Sequence, residues 1–157
     1  TLGIAGHLAA AVWAAAFVVS AAMPAFAQGP AEPLTIQSGD KTHTFQVEFA
    51  RTLPEISKGL TGRPTLAKDH GMFLDFRNIK EQYTLNMKGV QVDLDMLFVD
   101  TDGSIRAIAT NARAGSLRTV APGLGSMGVL QIAGGQATAL GLKPGDKVQN
   151  KQIANGG

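Results

Sequence analysis

Cysteine is missing from this sequence altogether, and aromatic residues make up only 6% of it. Without cysteine there is no disulfide, no thiol nucleophile and no thiolate metal site, whatever the redox state of the compartment. The single tryptophan, Trp13, lies in an apolar N-terminal stretch, so few stacking platforms for bases or sugars remain elsewhere. Charge of one sign is also lacking: 14 Lys and Arg stand against 12 Asp and Glu, a net charge of +2. The basic residues are scattered from Lys41 to Lys151 with no run or stripe. That leaves nucleic-acid binding without an electrostatic footprint.

Charge is absent from the start of the chain as well, where the first charged residue is Glu32. Leu8 to Ala27 is dominated by Ala, Val and Phe, broken only by Ser20 and Pro24. Crossing a bilayer takes ~20 strongly apolar residues, and this Ala-rich run falls short in hydrophobicity. It ends in Ala25-Phe26-Ala27, small residues where signal peptidase requires them. We read 1–27 as a signal peptide without its start, 28–40 as a linker and N-terminal extension, and 41–153 as one globular domain. A retained membrane anchor is the competing reading. The expectation is an exported protein, periplasmic or extracellular, with no integral membrane segment after processing. The mature chain beyond Ala27 is long enough to bury a core without staples.

Lys41 to Ala50 alternates, with Phe45, Val47 and Phe49 on one side and Thr44, Gln46 and Glu48 on the other, which predicts a half-buried strand. Thr52 followed three residues later by Glu55 is a capping box, with Pro54 tolerable in the first turn. Leu53, Ile56 and Leu60 share one face of the short helix it opens, and Gly59 and Gly62 end it. Arg63 to His70 reads as loop. Strands are expected at Gly71–Phe76, Tyr83–Lys88, Ile105–Thr110, Met127–Ala133 and Lys147–Ile153. Leu94 to Asp100 is apolar on both faces from Met96 on, so it should be a central strand. Asp102-Gly103 suits the hairpin turn after it. A second short helix is expected at Gln136–Leu140. The class is α+β, mainly β: a compact β-barrel or rolled antiparallel sheet with two short helices.

Four side chains are candidates for chemistry. Asp93 and Asp95 share a strand face, ~6.6 Å apart at 3.3 Å per residue, a spacing that could divide acid and base roles or bind a hard cation. The alternative is that they cap the start of a buried strand. Arg63 and Lys88 stand at the ends of elements, where a cation can clamp an anion or close an ion pair. A short turn between Lys88 and Asp95 places the expected ligand site where Arg63, Lys88 and Asp95 meet. His43 and His70 lie too far apart in sequence for a zinc motif. Met72, Met87, Met96 and Met127 read as core filling, with a methionine-based metal site as the alternative. Gly125-Ser126-Met127-Gly128 lacks the glycine two before the serine that a nucleophile elbow needs. No cofactor and no resident metal are expected.

Several stretches in order carry a resemblance. They are Lys58-Gly59-Leu60 with Arg63; Gly71-Met72-Phe73-Leu74; Met87-Lys88 leading into Leu94 to Asp100, Gly103 and Ile105; and Val129-Leu130 with Gly134-Gly135, Leu140-Gly141-Leu142 and Gly145-Asp146-Lys147-Val148. Together these resemble the domain of unknown function 192 family over about residues 45–150. The resemblance implies a compact β-rich fold and supplies no activity. The chain departs from the family pattern at Leu85-Asn86-Met87-Lys88-Gly89-Val90, where Phe-Trp-Met-Lys-Asn-Thr is expected. It departs again at Asp93, in place of Pro, and at Gln131, in place of Glu. The leading functional expectation is a non-enzymatic binding or accessory domain of the bacterial cell envelope, taking a small polar or anionic ligand. The alternatives are a small hydrolase-like enzyme using Asp93 and Asp95 with Arg63 or Lys88, and a methionine-based metal chaperone.

Overall fold

A computed structural model describes residues 29–121 and 126–154. The segment read as a signal peptide lies outside them, as do the last residues of the Ala114–Gly125 loop. Seven strands form one sheet in the order β5-β4-β6-β3-β2-β1-β7. These are β1 (Glu32–Ser38), β2 (Lys41–Ala50), β3 (His70–Asp75), β4 (Leu94–Asp100), β5 (Ile105–Ala112), β6 (Ser126–Ala133) and β7 (Lys147–Gln149), with α1 (Leu53–Lys58), α2 (Gln136–Ala139) and α3 (Lys151–Ala154). Every pair is antiparallel except β2 and β3. A parallel pair needs a crossover, and the chain from Arg51 to Asp69 supplies it, carrying α1 over the sheet.

The sheet curls until its two edges touch at one end. Ser104 bridges to Lys147, the Ile105 N–H donates to the Asp146 carbonyl at 2.8 Å, and the Val148 N–H donates to the Gly103 carbonyl at 2.8 Å. The Asp102-Gly103 turn fits this closure, because Gly103 takes a φ of 81° that a side chain would resist. The result is the rolled, mainly β architecture that the sequence predicts, closed as a half-barrel.

Alternation sorts the strands into two cores. Inside the curl, Leu34, Ile36, Phe45, Phe73, Leu97, Leu130 and Ile132 pack with Ala137 of α2. Outside it, Met72, Leu74, Leu94, Met96, Phe98 and Val129 are covered by Ile56 and Leu60 and by Leu85, Met87 and Val90. With both faces covered, β4 is buried from Leu94 through Val99, as its two-sided apolar pattern predicts.

Four local expectations need correction. Residues 28–40 are not all linker, because Glu32–Ser38 pairs along its length with β2. Leu34 and Ile36 supply the apolar alternation there. Tyr83–Lys88 is not a strand; it makes one isolated bridge, Leu85 to Val120, and otherwise bonds loop to loop. The final strand stops at Gln149, because the Asn150 side chain accepts from the Gln152 N–H at 2.6 Å and starts a third helix. Leu53, expected on the buried face of α1, is 39% exposed.

Candidate functional site

The capping box forms as its residues require: the Glu55 N–H donates to Thr52 Oγ1, and Glu55 Oε2 accepts from the Thr52 N–H at 3.1 Å. Those bonds fix where α1 begins, and Gly59, with a φ of 45°, ends it. The last turn is thereby held above β3 and β6 on the outer face. Opposite it runs the irregular segment 83–90. Two hydrogen bonds join these walls: Ser57 Oγ to the Tyr83 hydroxyl at 2.9 Å, and the Gly62 N–H to the Gly89 carbonyl at 3.0 Å. Between them lies a cleft of about 110 Å³ lined by residues that include Ser57, Lys58, Gly59, Asn86, Lys88 and Gln131.

Gln131 comes up from β6. It is 6% exposed, and its Oε1 is fully buried with no hydrogen-bond partner among the described residues. A buried polar group in that state costs about 1–3 kcal/mol. A β-carbon at position 59 would sit 4.0 Å from that oxygen, so the glycine keeps the space over it clear. Two wider depressions, of about 620 and 750 Å³, have no unpartnered buried polar atom on their walls.

Of the four candidate side chains, Lys88 alone lines the cleft. Arg63 lies on the same outer face, where its guanidinium meets Glu48 in two contacts of 2.9 and 2.5 Å. Glu48 is paired in register with Met72, and Met72 with Gln131, so this ion pair is two strand spacings from the cleft, about 10 Å. Asp95 is fully buried on the inner side, the side of Leu97. Its carboxylate accepts from the N–H groups of Asn111 at 2.8 Å, Gly135 at 3.1 Å and Ala137 at 2.8 Å. Asp93 accepts from the Ala114 N–H at 2.8 Å and pairs with Arg113 at 2.8 Å. Those two partners, the backbone amide first, hold its carboxyl below the usual range. The expected meeting of Arg63, Lys88 and Asp95 therefore does not form, because the pleat sends Asp95 to the face opposite the other two.

Among the described residues no three His, Asp or Glu side chains gather to hold a metal. Met72, Met87 and Met96 share the outer core at 2% exposure or less. His70 pairs with Asp69 at 2.8 Å. Sequence reasoning missed Lys58, Ser57 and Tyr83 as cleft residues and noticed Gln131 only as a departure from the family pattern. That was the usable signal: Leu85, Asn86, Val90 and Gln131, four of the departures, all line this cleft.

Comparison with known proteins agrees with the resemblance. The sequence profile of DUF192, described as an uncharacterised ACR, matches residues 34–150. A solved protein of unknown function from Novosphingobium aromaticivorans DSM 12444 is 32% identical with a TM-score of 0.71, over 82% of this chain and 98% of that one. A second, from Sinorhizobium meliloti 1021, is also 32% identical, with a TM-score of 0.69, over 74% of this chain and 91% of that one. It is provisionally called a transcription regulator. No curated protein matches the chain. Among the described residues no helix is long and apolar enough to cross a membrane.

Proposed function

The chain belongs to the DUF192 family, and from that premise we propose that it is an exported, non-enzymatic binding module of the bacterial cell envelope whose site is the cleft between α1 and segment 83–90. The observation that carries this reading is Gln131. A side-chain amide whose oxygen is buried without a partner at the base of a cleft is a binding group waiting for its counterpart. Binding rather than turnover is favoured by a lining that includes no Asp, Glu or His and so offers no carboxylate or imidazole as a general base. Asp93 and Asp95, the pair that the hydrolase-like alternative would use, are engaged by Arg113 and by backbone amides instead. Export is supported by the charge-free N-terminal stretch and its Ala25-Phe26-Ala27 ending.

Two measurements test the proposal. Protein recovered from the periplasm should begin at Gln28 by intact mass, whereas a full-length, membrane-bound product would reject export. In a thermal-shift screen against small polar compounds, hits should raise the melting temperature of the wild type and do so less in Gln131→Leu. Hits that act equally on Gln131→Leu and Lys88→Gln would place binding elsewhere.

A further inference from the structure

We infer that the cleft takes a small hydroxycarboxylate, its carboxylate at the Lys88 mouth and its hydroxyl against Gln131. This rests on the reading of the cleft as a binding site and names what would fill it.

The charge of the walls comes first. Lys58 and Lys88 both line the cleft, and no Asp or Glu does. Neither ammonium has an ion-pair or hydrogen-bond partner among the described residues. Glu55, on the same helix, has its carboxylate turned to the Arg51 and Thr52 amides at the far end. Lys58 also complements the carbonyl end of α1. Lys88 is therefore the cation assigned to the ligand, with Lys58 adding to the field. Two uncompensated cations at a mouth favour an anion.

The inner end asks for something different. Gln131 presents a neutral amide, and a carboxylate can only accept hydrogen bonds. Whichever way the amide is turned, a hydroxyl serves it, donating to Oε1 or accepting from Nε2. The remaining polar lining, Ser57, Thr61, Tyr83, Thr84 and Asn86, is neutral too. Asn86 Oδ1 is already taken by the Lys88 N–H at 2.9 Å, which leaves the amide nitrogen of Asn86 as a further donor on the wall.

Size sets the last limit. Drug-sized ligands occupy pockets of about 300–1,000 Å³, and this cleft holds about 110 Å³. That suits a molecule the size of glycolate. A ceiling of ~1.5 kcal/mol per non-hydrogen atom caps so small a molecule at roughly micromolar affinity, and an open cleft with one buried polar group should leave it weaker than that, toward millimolar.

Binding that weak is measured by NMR, titrating the isotope-labelled protein with glycolate, acetate and ethylene glycol. Glycolate should move the side-chain amide signals of Gln131 and the backbone signal of Gly59. Acetate, lacking the hydroxyl, should bind about fivefold to tenfold more weakly, the worth of one hydrogen bond near 1 kcal/mol. Ethylene glycol, lacking the charge, should be weaker than glycolate, and Lys88→Gln should erase that difference. Gln131→Leu should erase the difference between glycolate and acetate. Lys88 is exposed, so its variant keeps the test valid should Gln131→Leu unfold. If ethylene glycol or acetate matches glycolate on the wild type while moving cleft signals, the ligand class is wrong and the binding site stands. If none of the three probes moves a cleft signal, both the class and the site fall.

Discussion

Asp95 and Gln131 are a natural pair to compare. They lie on the adjacent strands β4 and β6, one register position apart, since Asp95 pairs with Ile132 and Met96 with Gln131. Their burial is nearly the same, 0% and 6% exposed. One faces the inner core and the other the outer. Asp95 receives three backbone N–H groups, while the Gln131 oxygen receives none. Burial alone thus says little about role. A buried polar group with all its partners is architecture, and one without partners is strain held at a site. The inner face is therefore the scaffold, and the outer face carries the cleft.

The sharpest way to break this contrast is Asp95→Ala. It would orphan the amides of Asn111, Gly135 and Ala137 at once. At about 1–3 kcal/mol for each buried donor left unsatisfied, a loss of about 3–5 kcal/mol is expected, allowing for non-additivity. Chemical denaturation measures it directly. The local fold explains the size: Asn111 sits at a φ of 53°, a conformation that a carboxylate anchor helps to hold. An unchanged midpoint would mean that α2 and the end of β5 are held by packing, and the scaffold assignment would fail.

Gln131 should respond in the opposite direction. Replacing it by Met keeps the volume and removes the unpaired amide oxygen, so stability should rise by about 1 kcal/mol while glycolate binding falls to the level of acetate. Gain of stability with loss of function is the mark of a site. A loss of stability instead would show that Gln131 is satisfied in solution, and the contrast with Asp95 would collapse.

Most of the scaffold side of this comparison was legible beforehand. β2, the capping box of α1, the central strand β4 and the turn at Gly103 all announce themselves through local pattern, because their side chains alternate or cap within a few residues. The cleft did not. Gln131 is separated from Gly59 and Asn86 by dozens of residues, and only the roll of the sheet and the β2–β3 crossover bring them together. Asp95 was misread for a related reason. On a strand its spacing from Asp93 suggested a working pair, but the amides that occupy it arrive from β5, from the turn before α2 and from α2 itself. The segment 83–90 carries strand-like residues yet has no neighbouring strand to pair with. Its apolar positions Leu85 and Met87 are spent instead on covering the outer core.

A third carboxylate, Asp102, extends the comparison to a group that has partners but little burial, its side chain being 63% exposed. It accepts from the Ser104 hydroxyl at 2.5 Å and the Ser104 N–H at 2.9 Å, and it pairs with Lys147 at 2.9 Å. These bonds tie the β4–β5 turn to β7, where the two edges of the sheet close. The Ser104 hydroxyl first, and then Lys147, hold the Asp102 carboxyl far below the usual carboxylate range. A carboxyl depressed in the folded state stabilises it fully above its unfolded value, about 3.9, and loses that contribution as the pH falls through the folded value. Asp102→Asn should therefore be less stable than the wild type near neutral pH, by a small margin because exposed pairs are screened by water and salt. The margin should shrink as the pH drops below about 4. Denaturation midpoints of the two proteins across that range test the point. A gap that stays constant with pH would assign the effect to the turn geometry at Asp102 rather than to its charge. Closure of the half-barrel would then depend on the backbone bonds that join Gly103 and Ile105 to Gly145, Asp146 and Val148.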